Sequence, residues 1–381
     1  MAKNTSQCLT GAQTNHHNAG AMHIEMLGRG LVIHAPAKVN LFLEVLGKRG
    51  DGYHQIDSVI CPVSLLDTLR FEANDSGRIE FGIRFGTEQS IDQSTGSGQE
   101  WARDPAWTVP DDRSNLVVRA LESVRSELGC IDGCRVELHK NIPAAAGLGG
   151  GSSDAAAAIV AGLAMWDHWD RPLATRVAAQ QGSDIPLFLG DRENGIGLAR
   201  ATGRGELIEM LPGRPPLCFV ISHPPVGSST AEVYKLWNGG WPHRSIEGML
   251  AACAQSQVEV LGETSPVSES GAARKIEVAT ATDAANDIDV PGEIEESLFN
   301  ALQSPASQLT EWIERQVQCF AHLGKTKALM SGSGSACFTL VRSTDEGQEL
   351  VEKLIAFGLP RAYTVQAWYA PPIEQQLERI F

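Results

Sequence analysis

One stretch of the chain has the makings of an anion cradle: Pro143-Ala-Ala-Ala-Gly-Leu-Gly-Gly-Gly-Ser-Ser-Asp154, followed at once by four alanines. Glycine lets backbone N–H groups approach an anion without a Cβ in the way. The start of a helix adds unpaired N–H donors and a partial positive charge. Gly147, Leu148, Gly149, Gly150 and Gly151 can thus present backbone donors to phosphate, while Ser152 and Ser153 can cap the helix or offer hydroxyls. A Walker loop would need Gly-Lys-Ser/Thr, which is missing here. Reading G-x-G-x-x-G from Gly147 puts Ser152 where the last glycine of a dinucleotide loop belongs. No serine of the stretch sits in G-x-S-x-G, so it is not a nucleophile elbow. The plain alternative is a turn that merely starts a helix. Four glycines within five positions, ending in Ser-Ser, weigh against it.

Such a loop needs elements to hold it. Ala155–Trp166 reads as an alanine-rich helix, slim enough to sit close behind the loop. Leu31–Ile33, Val39–Leu46, Leu69–Phe71, Ile79–Phe85, Arg135–His139, Leu217–Ser222 and Ala336–Arg342 read as strands. Asn115 caps a helix running to about Leu128, and Leu173–Gln181, Leu309–Leu323 and Gln348–Phe357 read as further helices. Strands and helices mix without strict alternation, which predicts an α+β protein of two domains, divided near residue 200.

The 381 residues are enough for two cores, and a hydrophobic share of 43% with 20% charged residues suits a globular chain. The formal charge of −15 argues against a nucleic-acid partner. No apolar run is long enough for a bilayer, and residues 1–20 lack the apolar stretch of a secretory signal, so the expected location is the cytoplasm. The eight cysteines are scattered. Only Cys130 and Cys134 lie close, and no second pair completes a zinc set, so free thiols are expected. Three stretches look like additions: a disordered extension over 1–28, within which Met22 or Met26 could be the true start; a long surface loop over 86–108; and an acidic mobile insertion over 254–292.

With these residues in view, the glycine loop resembles the phosphate loop of the GHMP kinases. Ala35-Pro-Ala-Lys-Val-Asn-Leu-Phe-Leu43 followed by Asp51-Gly-Tyr-His54 resembles the N-terminal signature of the 4-diphosphocytidyl-2-C-methyl-D-erythritol kinase family. Met330-Ser-Gly-Ser-Gly-Ser-Ala-Cys337 resembles the third GHMP motif, and Gly182-Ser-Asp-Ile-Pro-Leu-Phe188 the segment carrying the family's catalytic aspartate. Order and spacing agree over roughly 30–240 and 295–345. The resemblance implies a two-domain GHMP fold with its site in the cleft between domains. It also implies transfer of the ATP γ-phosphoryl to the 2-hydroxyl of a cytidine-diphosphate-linked methylerythritol, in the non-mevalonate route to isoprenoid precursors. The protein would act as a monomer or homodimer, with no nucleic-acid or membrane partner.

The resemblance also assigns roles. Asp184 becomes the base that accepts the hydroxyl proton, although alone it would serve as well to cap the turn before Ile185-Pro186. Lys38 becomes the active-site cation, which favours the charged form of a carboxylate base and offsets charge on the transferred group. Asn40, on the same face two residues on, becomes a partner of substrate or of Asp184. Tyr53 and His54 become readers of the cytosine, and Tyr234, in Ala231-Glu-Val-Tyr-Lys235, a second aromatic sandwiching the base. Gly332, Ser333 and Gly334 would offer backbone donors to substrate phosphate, and Asn115 would stand at the family position before the helix that borders the adenine pocket, where capping could be its whole role. Mg²⁺ accompanies phosphoryl transfer, with Ser153 as the residue near it. Other GHMP kinases, acting on homoserine or mevalonate, are the competing reading. The Gly-Tyr-His segment and the Pro-Ala-Lys-Val-Asn strand speak against them.

Overall fold

The computed structural model describes residues 23–28, 30–85, 108–239, 243–255, 292–359 and 361–381. The strands of the chain are β1 (His23–Leu27), β2 (Gly30–Lys48), β3 (His54–Asn74), β4 (Ile79–Phe85), β5 (Gly133–Lys140), β6 (Ala199–Gly203), β7 (Leu207–Met210), β8 (Cys218–Ser222), β9 (Phe299–Asn300), β10 (Leu329–Met330), β11 (Cys337–Val341) and β12 (Ala362–Gln366). The helices are α1 (Leu116–Leu128), α2 (Gly150–Met165), α3 (Arg171–Gln181), α4 (Thr230–Leu236), α5 (Glu247–Gln255), α6 (Gly292–Ser297), α7 (Gln303–Ser307), α8 (Trp312–His322), α9 (Thr344–Ala356) and α10 (Ile373–Glu378).

Two sheets result. The larger runs β1-β2-β3-β5-β4, with β6 and β7 attached beside β3 and β9 beside β2. The smaller runs β10-β11-β8-β12. Pairing is antiparallel except for β4 with β5 and β9 with β2. This is the α+β arrangement that the mixed order of elements implies. The division expected near residue 200 falls inside the larger sheet, because β6 pairs with β3 from Ile56↔Gly203 to Ile60↔Ala199 and β7 folds back on β6. The last helix, α10, also returns to the first half, where Glu374 pairs with Arg171 of α3 at 2.6 Å.

Three apolar layers hold these sheets. One lies between the larger sheet and α1, α2 and α3, with Ile33, Leu69, Phe71, Leu121 and the Ala155–Ala161 run fully buried. The second joins the two sheets through Val39, Leu41, Val59, Phe219 and Phe338. The third covers the far face of the smaller sheet with Ile313, Phe320, Leu350 and Leu354. α2 is buried nearly all round, from Ala155 to Leu163. A helix without a polar face belongs in an interior, and here small side chains let neighbours close in on every side.

Three expectations are corrected. The separate strands at 31–33 and 39–46 are one strand, β2, because Pro36 sits at a shift of register with β3 and not at a break. Residues 23–27 are not part of a disordered extension. They form β1, hairpinned onto β2 from His23↔His34 to Leu27↔Gly30, with Gly28 at φ 64° in the turn. The helix expected over 309–323 is shorter. Thr310 and Glu311 precede α8, and the Thr310 hydroxyl accepts from the Trp312 N–H at 3.3 Å. The expected loop over 86–108 and insertion over 254–292 lie, apart from their ends, outside the described residues. The start of the second stretch, Ala254 and Gln255, closes α5.

Candidate active site

The glycine loop enters α2 through two left-handed residues, Gly147 at φ 76° and Gly149 at φ 71°. A Cβ on Gly147 would lie 2.1 Å from the Ser331 carbonyl oxygen, and one on Gly149 would lie 2.9 Å from Lys38 Cγ. Both glycines are therefore required by conformation and by space. Gly149 is the N-cap and makes no side-chain cap bond, so the helix starts before Ser152 and Ser153. These serines stand in its first turn and do not cap it. Ser153 Oγ is buried with no hydrogen-bond partner. The third motif closes on the loop from the smaller sheet. Ser331 Oγ donates to the Gly147 carbonyl at 3.0 Å, and the Ala336 N–H donates to the Ala146 carbonyl at 3.0 Å.

Lys38 and Asn40 share one face of β2, as strand alternation requires. The Lys38 N–H donates to the Leu148 carbonyl at 2.9 Å, which ties this strand to the loop. Lys38 Nζ donates to Asn40 Oδ1 at 2.5 Å and stands 3.9 Å from Asp184 Oδ2. Asn40 in turn donates to Ser58 Oγ at 2.8 Å, and Ser58 donates to the Phe42 carbonyl at 2.6 Å. Asn40 thus links Lys38 to Ser58 on the face it shares with that lysine. Lys38 is buried, and Asp184 has 38% of its side chain exposed, open to an incoming molecule. Burial pushes the Lys38 ammonium down from its ordinary value, and the Asp184 carboxylate pulls it partly back. Gly332 and Gly334 complete the wall: a Cβ on Gly332 would lie 3.0 Å from Lys38 Nζ. Ser333 bonds Thr230 of α4 through their hydroxyls at 2.8 Å.

A second cluster lies beside Asp184. His54 stacks on Tyr234 with ring centroids 5.0 Å apart and meets Trp237 edge-on at 5.5 Å. Burial, and then the Asp184 charge, push the Tyr234 hydroxyl up, which joins this cluster to the carboxylate. Tyr53 does not join it directly. Tyr53 is 54% exposed, and its ring lies under the Arg204 guanidinium at 4.9 Å. Gly205, next to Arg204, would place a Cβ 3.6 Å from Asp184 Oδ1, so the turn between β6 and β7 spans both. Asn115 caps α1 by accepting from the Val117 N–H at 2.9 Å and donates to the Pro110 carbonyl at 2.7 Å.

Sequence reasoning missed three groups. Lys140, beneath the loop, bonds Asp67 and also donates to Asp154 at 2.8 Å. Asp67 also accepts from the Asn141 N–H at 2.6 Å and the Ile142 N–H at 2.8 Å. These partners lie far apart in the chain, and a lone lysine or aspartate carries no sequence signal. Asn300 donates to the carbonyls of Met330 at 2.7 Å and Gly332 at 2.8 Å, holding the third motif from β9. Trp237 has no motif at all. Among the described residues no three His, Cys, Asp or Glu side chains are placed to hold a metal, and no helix is long and apolar enough to cross a membrane. The cysteines described are all free, Cys130 and Cys134 among them.

The geometry agrees with comparisons to known proteins. Residues 115–190 match the GHMP kinases N terminal domain and residues 280–359 the GHMP kinases C terminal domain. A 4-diphosphocytidyl-2-C-methyl-D-erythritol kinase of Rhodopirellula baltica is 33% identical over 84% of this chain and 89% of its own length. One of Pelotomaculum thermopropionicum is 33% identical over 84% of this chain and 92% of its own. A crystal structure of 4-(cytidine 5'-diphospho)-2C-methyl-D-erythritol kinase superposes with a TM-score of 0.60, covering 88% of this chain and 98% of that one at 29% identity. A homoserine kinase from Cytophaga hutchinsonii shares the fold at a TM-score of 0.56, with 15% identity over 91% of this chain and 98% of its own.

Proposed function

The chain belongs to the 4-diphosphocytidyl-2-C-methyl-D-erythritol kinase family of the GHMP kinases, and on that premise we propose how its cleft performs phosphoryl transfer. The reaction moves the γ-phosphoryl of ATP to the 2-hydroxyl of the cytidyl-methylerythritol acceptor, a step on the non-mevalonate route to isoprenoid precursors. The observation that carries this reading is the Lys38–Asp184 pair, 3.9 Å apart, with the lysine stem packed against Gly149 of the phosphate loop. A base for the hydroxyl proton and a cation for the phosphoryl group then stand where loop and acceptor meet.

Gly147 to Gly151 and the first turn of α2 hold the nucleotide phosphates through backbone N–H groups. Asp184 accepts the proton of the tertiary hydroxyl and aligns it for in-line attack. Lys38, held by Asn40, offsets the charge that develops on the attacking and transferred oxygens. His54, Tyr234 and Tyr53 receive the cytosine, and the backbone of Gly332, Ser333 and Gly334 receives acceptor phosphate. Mg²⁺, bound with ATP, supplies charge neutralisation of the phosphates. The unpartnered, buried Ser153 hydroxyl in the first turn of α2 fits it, and among the described residues no acidic cluster stands ready to hold it, so the ion would be held mainly by the nucleotide.

A coupled assay of ADP release tests the reading with the cytidyl-methylerythritol, homoserine and mevalonate as acceptors. Turnover is expected with the first alone, and turnover confined to either of the others would overturn it. Asp184→Asn is expected to lower kcat on the order of a thousandfold while ATP still binds. Near-normal turnover would remove Asp184 from the role of base.

A further inference from the structure

His54 opens β3 straight after the exposed turn at Gly50–Tyr53, so the hairpin does little to fix its ring. Among the described residues the imidazole makes no hydrogen bond. Two rings orient it: Tyr234, stacked at 5.0 Å with 29° between planes, and Trp237, perpendicular at 5.5 Å and 82°. Both come from α4 and its end. That helix has seven residues with only Val233 fully buried, and so short a helix is marginal by itself. Trp237 keeps a helical φ of −67° and its N–H donates to the Val233 carbonyl at 3.2 Å, so its side chain stands one turn on from Tyr234 on the same helix face before the chain leaves the helix at ψ 126°. The contact therefore works in both directions: it pins the end of α4 to β3, and it sets the angle of a ring whose nitrogens stay free for a ligand.

We infer that Trp237 is a positioning residue of the acceptor site, acting through His54 by holding the imidazole at a fixed angle to Tyr234 so that one ring nitrogen meets the polar edge of the pyrimidine. This rests on the reading of the site given above. Burial, and then Lys48 opposite in the β2–β3 register, lower the proton affinity of His54. A neutral imidazole can present either a donor or an acceptor nitrogen, and the edge of cytosine carries a partner for each. Aromatic pairs of this geometry contribute beyond their buried area, and the effect should show in acceptor affinity alone.

Cytidine diphosphate serves as the probe. Trp237→Ala is expected to weaken its binding on the order of fivefold and to raise acceptor KM by a similar factor, with kcat and ATP KM within about twofold of the parent. Trp237→Phe, which keeps a ring edge, should recover most of the loss. In a His54→Ala background, Trp237→Ala should add nothing, since the residue it acts through is gone. Unchanged affinity in Trp237→Ala, or additive losses in the double variant, would overturn the role of Trp237. Loss of ATP KM and kcat alongside acceptor affinity would also overturn it, by making Trp237 a general support. Parent protein that turns over another alcohol but does not bind cytidine diphosphate would overturn the acceptor reading, and this inference with it.

Discussion

Two buried lysines flank the glycine loop, and their surroundings are opposite. Lys140, on the side of β5, lies against Gly150, whose Cβ would come within 2.9 Å of its Nζ, and it bonds both Asp67 and Asp154. Lys38, on the side of β2, has an amide oxygen at 2.5 Å and a carboxylate only at 3.9 Å. Burial would lower the Lys140 ammonium, but the two carboxylates more than offset it and raise it. Burial and the neighbouring Asp67 also push Asp154 up. For Lys38 burial prevails and the ammonium is lowered. Equal burial of one residue type thus gives a structural clamp on one side and an under-compensated, chemically available charge on the other. Burial alone does not decide what a lysine is available for. What decides it is whether the cation is left short of partners beside open space.

The contrast is strongest in stability. Lys140→Met strands two buried carboxylates and should cost about 3–5 kcal/mol, read as a lower denaturant midpoint. A midpoint equal to the parent's would erase the distinction. Lys38→Met should leave the midpoint unchanged or raise it, while kcat falls on the order of a hundredfold. Destabilisation matching that of Lys140→Met would make the two lysines equivalent. A pH series gives the next measure. The alkaline limb of kcat should fall below the ordinary lysine value of about 10.4, because Lys38 loses its proton early, and Lys38→Arg should move that limb upward. The finest measure is alkaline unfolding. A lowered Lys38 penalises the fold at low pH, and the penalty is relieved as pH rises from its folded value toward about 10.4. A raised Lys140 stabilises below about 10.4, and that stability is lost above it. Parent minus Lys38→Met should therefore rise with pH in the first window, and parent minus Lys140→Met should fall above it. Curves of the same sign would refute the contrast.

How much of this the sequence shows depends on whether the signal is local. The glycine loop is legible because its function lies in the backbone, and glycines declare backbone geometry wherever they stand. Lys38 and Asn40 are legible as a pair because a strand of period two puts them on one face. Asp184 needs the family resemblance, since an aspartate before Ile-Pro reads equally well as a turn. Lys140 with Asp67 is out of reach, because 73 residues separate partners that only the β3–β5 pairing brings together. β1 is missed for a related reason. His23-Ile-Glu-Met-Leu27 alternates over only four positions at the end of a long polar stretch, and its pairing with β2 supplies what so short a run lacks. Trp237 is invisible because a tryptophan after a short helix is ordinarily core.

The burial of α2 carries a further consequence. Its amides from Ala156 to Leu163 are enclosed by the sheet and by α1 and α3, so they can exchange hydrogen with solvent only when the first half of the molecule opens as a whole. The glycine loop is the leading end of that helix. Its donors stay arranged for as long as the domain is folded, with or without nucleotide, so binding should involve little ordering of the loop. Exchange protection along α2 should then rise with nucleotide only as global stability rises, whereas α4, short and lightly anchored, should gain protection of its own when the acceptor arrives.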